Sequence, residues 1–294
     1  MTTVSAPGTD TVERRRRPPL GVVVDGRVKE LLLYPGNFCN RDCAFCTVVG
    51  SPKGWYHPFA EAHLDAALRL VDLGEEGALK FYGGEPTLDV PNMVWAIRYL
   101  RERGFRGSFT LFSNGIRDRA LVEIVEADPA RQVKVALNYS IWVGDGAEPI
   151  PAAARARLEA YAREHPGVIT VGYSDIMDMG GGVAAFDGER KELQEQFQND
   201  CGRCYPVVTT KGEVHACPFA VEIQDPHFHL GELATDPRRA VRNFQAFFRW
   251  IDEALMPFAR AERLQPCTVC RTRLAELPMP RFEVEDEPAG RRRA

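Results

Sequence analysis

Three thiols in one short loop, Cys39-Asn-Arg-Asp-Cys43-Ala-Phe-Cys46, constrain this chain more than any other feature. Five further cysteines, Cys201, Cys204, Cys217, Cys267 and Cys270, form two more groups. Inert buried thiols are scattered, whereas tightly grouped thiols are metal ligands or redox groups. No apolar stretch follows the charges near residue 1, so a secretory signal is not expected. Disulfides belong to oxidising compartments; a cytoplasmic protein with reduced or metal-bound cysteines is therefore expected. The 294 residues, 45% hydrophobic and 27% charged, suffice for one large domain or two. A formal net charge of −4 argues against a chain-wide basic field, so nucleic acid is not an expected partner. No uncharged apolar run approaches the roughly 20 residues of a membrane-spanning helix, so a membrane is not expected either.

Residues 1–19, with the arginine run 14–17 before Pro18 and Pro19, read as a disordered tail, and so do residues 283–294. Between them the pattern alternates. Strands are expected at 28–34, 78–82, 109–112, 132–141 and 168–173. Helices are expected over 59–73, with Leu64, Leu68 and Val71 on one face, over 90–100, around 121–125, and over 152–164. Repeating β-α units imply a parallel sheet with right-handed crossovers. Five such strands in one half of the chain suggest an α/β fold of the partial barrel type, expected to span 20–187. The alternation fades after Met179. Gly180, Gly181 and Gly182 read as a hinge and 188–198 as a helix. Residues 207–210 and 213–216 read as a hairpin turning at Gly212, and 237–256 as an aromatic-rich helix. A small α+β segment over 188–282 thus holds the remaining five cysteines.

The first thiol group directly follows strand 28–34. It lies at a strand's C-terminal end, where barrel-like folds collect their active sites. A tetrahedral zinc site or a complete four-iron cluster wants four protein ligands. Three thiolates leave one corner open to an exogenous ligand. With Phe45 before the last cysteine and Asn40 after the first, the loop resembles the Cys-x3-Cys-x2-Cys hallmark of the radical S-adenosylmethionine enzymes. The resemblance implies a six-unit partial TIM-like barrel and a [4Fe-4S] cluster on Cys39, Cys43 and Cys46. It implies that the fourth iron chelates the amino and carboxylate groups of S-adenosylmethionine. An electron from a donor such as flavodoxin or ferredoxin would then release a 5′-deoxyadenosyl radical, which abstracts hydrogen. Gly83-Gly84-Glu85-Pro86 closes the second strand; glycines let backbone approach a ligand, and a carboxylate can receive an ammonium group. The stretch is similar to the family's motif for the methionyl amine. Ser113 and Asn114 close the third strand, where Thr-Asn-Gly is common in the family, so Ser113 departs from the pattern. Asn138 and Ser140 close the fourth; they reach the cofactor, as in the family, or cap the strand. Tyr173, Ser174 and Asp175 line the substrate pocket or are plain loop polarity. Only five β-α units can be placed, so the sixth strand is short, divergent or absent.

The second group reads Cys201-x2-Cys204-x12-Cys217, with Cys267-x2-Cys270 farther on. The hairpin at Gly212 brings Cys217 back toward Cys201 and Cys204, and helix 237–256 returns the chain with the last pair. On ligand grounds alone a four-thiolate site suits zinc. This extension also resembles the SPASM/Twitch modules of the same family, whose opening Cys-x(9–15)-Gly-x4-Cys is met by Cys201, Gly212 and Cys217. The resemblance implies one auxiliary [4Fe-4S] cluster on Cys201, Cys217, Cys267 and Cys270, with Cys204 a substitute or accessory ligand. His215, His227 and His229 are donors around that cluster or ordinary histidines. The function expected is oxidative modification of a small metabolite in a biosynthetic pathway. The alternative is maturation of a ribosomally synthesised peptide by cross-linking, epimerisation or oxidation, although the N-terminal segment has no room for a peptide-recognition domain. A zinc-stabilised binding module without catalysis is the distant third.

Overall fold

The computed structural model describes residues 23–138, 141–142, 148–172, 201 and 205–283. A short antiparallel pair, β1 (Val23–Val24) and β2 (Arg27–Val28), leads into β3 (Glu30–Tyr34). Then follow α1 (Glu61–Leu70), β4 (Ala78–Phe81), α2 (Val90–Glu102), β5 (Ser108–Ser113), α3 (Asp118–Glu126), β6 (Val133–Asn138), α4 (Ala152–Glu164) and β7 (Ile169–Gly172). Strands β3 to β7 are parallel and lie side by side in chain order. When each strand is added beside the last, right-handed crossovers put every helix on the same face. That asymmetry is written into the residue alternation. Leu31, Leu33, Leu79, Phe81, Phe109, Leu111, Val133 and Val135 are buried together with Leu64, Ile97, Leu121 and Leu158 of the helices. Leu32 and Tyr34 point the other way and pack with Val48, Val207 and Val221. The fold is an α/β partial barrel, as the β-α alternation implies.

The C-terminal part adds β8 (Val207–Thr209), β9 (Glu213–His215) and β10 (His229–Glu232). The sheet order is β10-β9-β8-β3-β4-β5-β6-β7. Strand β8 pairs in parallel with β3, on the edge opposite β4, with Leu33 against Val208. The expected hairpin is present, yet it extends the barrel sheet instead of standing apart from it. Thr210 secures the junction: its N–H donates to Tyr34 O and its hydroxyl to Pro35 O, each at 3.1 Å. Helix α5 (Pro237–Trp250) is shorter than the expected 237–256. A π-turn follows at Ile251–Leu255, then α6 (Met256–Ala261) and α7 (Pro266–Thr272). Pro257 supplies the reason, since it lacks the N–H that a continuous helix would bond one turn back. No helix of the described residues is long and apolar enough to cross a membrane. The hinge at 180–182, the helix at 188–198, both tails and the boundary between 187 and 188 lie outside the described residues, apart from Glu283 of the C-terminal tail.

Candidate metal and cofactor centre

Because β3 to β6 are parallel, the segments after them meet at one edge of the sheet. The thiol loop leaves β3, crosses that edge and is braced by its own backbone. Asn37 N–H and Phe38 N–H both donate to Trp55 O, Cys39 N–H to Ser51 O, and Cys46 N–H to Cys43 O. The buried Asn37 side chain ties the loop's two arms together, accepting from Trp55 N–H at 2.9 Å and donating to Val48 O at 3.3 Å. Val49 is held at φ 51, a strained value for a β-branched residue. Beyond it, Gly50 N–H donates to Cys46 Sγ at 3.2 Å.

The three thiols share one electrostatic neighbourhood. Cys39 is pushed up to about 11 by burial, against which the Arg41 backbone N–H works; Glu85, Cys46 and Cys43 push it further. Burial also raises Cys43, with Cys46 adding to it and Arg41 opposing. Thiols held this way are poor anions until a cation arrives, and a coordinating metal deprotonates them outright. Among the described residues no three His, Cys, Asp or Glu side chains close around a single metal ion. Phe45 is half-buried beside Cys46 in sequence.

Glu85 is the hub between the thiol loop and the next two strand ends. Its carboxylate is 6% exposed. Oε1 accepts from Thr87 N–H at 3.1 Å, Thr87 Oγ1 at 2.7 Å and Ser113 Oγ at 2.9 Å. Oε2 accepts from Asn114 N–H at 2.8 Å. Burial raises the Glu85 carboxyl, while these bonds favour its charged form. No Lys, Arg or His among the described residues pairs with it. One acceptor direction on Oε2 thus remains for a cationic donor. Pro86 opens the turn Pro86–Leu88, where its missing N–H costs nothing, and Glu85 caps that turn.

The glycines of this motif also serve close backbone packing. A Cβ on Gly84 would lie 1.9 Å from Phe38 O, and one on Gly83 2.3 Å from Gly36 O. Gly84 N–H donates to Gly36 O at 2.8 Å and Glu85 N–H to Phe38 O at 3.0 Å. The second loop is glycine-rich so that it can dock, backbone to backbone, on the thiol loop. Gly84→Ala is therefore expected to destabilise the fold by about 1–3 kcal/mol and to reduce iron held by the first thiol group. Thermal unfolding and iron analysis of the purified variant would read both; unchanged values in both would contradict the docking role.

Ser113 and Asn114 bond to Glu85. Ser113 holds Glu85 and accepts from Gly115 N–H at 3.1 Å. Asn114 holds Glu85 through its backbone and approaches Cys39 through its side chain. Asn138 Oδ1 accepts from Ile141 N–H at 3.3 Å, the capping arrangement. Ser140, Tyr173, Ser174, Asp175 and Cys204 lie outside the described residues. Sequence reasoning passed over Asn37, Arg41, Trp55 and Glu222. Arg41 spans from the thiol loop to the carbonyls of Glu148 and Pro149, the latter at 3.2 Å. Glu222 Oε1 accepts from Tyr34 O–H at 3.0 Å and from Trp55 Nε1 at 3.1 Å. It thereby ties the first thiol loop to the segment after Cys217. Only proximity to the cysteines in sequence marks Asn37 and Arg41; nothing local marks Glu222.

The cysteines of the second group that lie among the described residues are Cys201, Cys217, Cys267 and Cys270. Cys217 follows β9, and α7 presents Cys267 and Cys270 one turn apart on one face. Cys270 is raised well above the ordinary thiol range by enclosure, and then by Cys201, Cys267, Cys217 and Asp225 as neighbours. Phe219 packs on Cys267 and lies 6.3 Å, centroid to centroid, from the Tyr82 ring. Tyr82 OH in turn meets Thr47 Oγ1 at 3.1 Å, next to Cys46. The two thiol groups are thus linked through a tyrosine and a phenylalanine. The histidines turn to carboxylates: His215 to Glu213 at 3.1 Å, His227 to Asp225 at 2.7 Å and His229 to Glu232 at 3.2 Å.

The Radical SAM superfamily model matches residues 33–140. That stretch, from the end of β3 past β6, contains the first thiol loop, Glu85 and Asn114. A comparison with curated proteins finds no match. Among solved structures the chain is similar to BtrN in complex with AdoMet and 2-DOIA, at 14% identity over 83% of this chain and 89% of that one, with a TM-score of 0.45. It is also similar to native anSMEcpe with bound AdoMet and Cp18Cys peptide, at 14% identity over 72% and 79% of the two chains, with a TM-score of 0.39.

Proposed function

We propose that this chain is a radical S-adenosylmethionine enzyme that oxidatively modifies a small metabolite. In this reading a [4Fe-4S] cluster on Cys39, Cys43 and Cys46 supplies reductive cleavage of S-adenosylmethionine to a 5′-deoxyadenosyl radical, which takes hydrogen from a substrate C–H bond. The chain's own residues do the rest. The backbone-braced loop fixes three thiolates and no fourth. Glu85 offers the free direction of Oε2 to the methionyl ammonium, and Ser113, Thr87 and Asn114 hold its carboxyl in place. Arg41 anchors the loop to the segment after β6. The observation that carries the reading is this buried, cation-free carboxylate set between three grouped thiols and the ends of β4 and β5. Burial raises the Glu85 carboxyl although four hydrogen bonds reach it, and a cationic ligand would favour its charged form. Cys201, Cys217, Cys267 and Cys270 would hold an auxiliary cluster in the same reading, which would accept the electron of the substrate radical left by hydrogen abstraction.

Protein prepared without oxygen and reconstituted with iron and sulfide should be brown, with about eight irons per chain. Reduction with dithionite in the presence of S-adenosylmethionine should release 5′-deoxyadenosine. A colourless preparation holding one or two zinc ions, and no nucleoside release, would support a zinc-stabilised binding module instead. Small polyols and amino sugars deuterated at carbon, compared with short peptides, would separate the metabolite reading from peptide maturation by transfer of deuterium into 5′-deoxyadenosine.

A further inference from the structure

Asn114 sits where the third strand end meets the thiol loop, and its amide has one orientation. Oδ1 accepts from Ile116 N–H at 3.0 Å. Nδ2 therefore faces the cysteines. One of its two hydrogens goes to Asn40 Oδ1 at 2.8 Å. The other is left for Cys39 Sγ, 3.8 Å away. The residue is 8% exposed, so water offers little competition. Its backbone N–H meanwhile donates to Glu85 Oε2, a carboxylate that pushes Cys39 up. A donor also meets the loop's far sulfur, Cys46, but there it is the Gly50 backbone. Among the described residues, a side-chain nitrogen meets a loop sulfur at Cys39.

We propose that the Asn114 side-chain N–H is a donor to the Cys39 sulfur that raises the reduction potential of the cluster on Cys39, Cys43 and Cys46. This inference rests on the cluster assignment made under Proposed function. Reduction adds one negative charge to the cluster, and part of it falls on the ligating sulfurs. A hydrogen bond to a more negative acceptor is stronger. The donor therefore stabilises the reduced form more than the oxidised one, the direction in which hydrogen bonds to cluster sulfurs act. Asn114 is a tuning residue: it sets how easily a one-electron donor charges the cluster, and it touches no reacting atom. The same residue counters Glu85 through its backbone, so a single position offsets two sources of negative charge beside Cys39.

Asn114→Ser and Asn114→Asp both keep a short oxygen for Ile116 N–H, and both lose the donor to Cys39. EPR-monitored redox titration without S-adenosylmethionine isolates the cluster from any part Asn114 plays in cofactor binding. Each variant should shift the reduction equilibrium about tenfold toward the oxidised form, 59 mV for one electron, with the Asp variant shifted further by its charge. Midpoints equal to the wild type in variants that retain their iron would overturn the proposal. If both variants lose iron, Asn40→Ala protein carrying 15N only in asparagine side-chain amides decides the matter by pulsed EPR. A 15N coupling to the reduced cluster is expected, and its absence overturns the proposal. A wild-type protein without iron on the three cysteines would instead sink the cluster assignment, a separate and recognisable result.

Discussion

Cys43→Ala is expected to abolish release of 5′-deoxyadenosine while leaving the protein folded. The loop that carries Cys43 is held by backbone bonds, from Cys39 N–H to Ser51 O and from Cys46 N–H to Cys43 O, none of which needs the thiol. The Cys43 side chain is half-buried and packs in neither buried core. Its removal costs little stability and one cluster corner. Two thiolates do not hold a cube that requires three protein sulfurs and one open iron, so about four of the expected eight irons should go. The second thiol group should keep its share, because its ligands come from other elements. Two measurements check this on the same preparation: iron per chain, and 5′-deoxyadenosine formed with dithionite and S-adenosylmethionine. Undiminished nucleoside release would remove the first thiol group from the chemistry.

What could be read in the sequence was what local pattern encodes. The spacing of Cys39, Cys43 and Cys46 and the apolar run before them placed a thiol loop at a strand's C-terminal end, and β3 delivers it there. The apolar runs 78–82 and 109–112 were expected as strands, and Leu79, Phe81, Phe109 and Leu111 of those strands enter the core shared with the helices. Pairing across sheet edges is another matter. Nothing in 207–209 says that its neighbour is β3, because period reveals a strand's faces and not its partner. The close packing of Gly83 and Gly84 was hidden for the same cause. Their crowding comes from Gly36 O and Phe38 O, residues far off in sequence, and a glycine looks alike whether backbone or ligand approaches it. Glu222 shows the limit most plainly: its carboxylate joins Tyr34 to Trp55 across the whole fold, and no local signal singles it out. The π-turn before Pro257 was legible in principle, since the proline alone dictates it.

Cys270→Ala should empty the second thiol group and spare the first. Cys267 and Cys270 stand one turn apart at the start of α7, and Cys201 and Cys217 reach Cys270 from outside that helix. Burial and the neighbouring thiols Cys201, Cys267 and Cys217 all disfavour the Cys270 thiolate, which a bound cation would favour. A site of four thiolates saturates a tetrahedral ion or a four-iron cube, and loss of one ligand cannot be made good by water without exposing the metal. About four irons per chain should disappear, and the EPR signal of the first cluster should persist. Cys204→Ala is the matched control and should keep its full complement of iron. The reverse pattern, with iron kept in Cys270→Ala and lost in Cys204→Ala, would reassign the fourth ligand to Cys204. Loss of zinc in place of iron from Cys270→Ala would make this half of the protein a structural metal site, and the electron taken from substrate would then have to leave by another route.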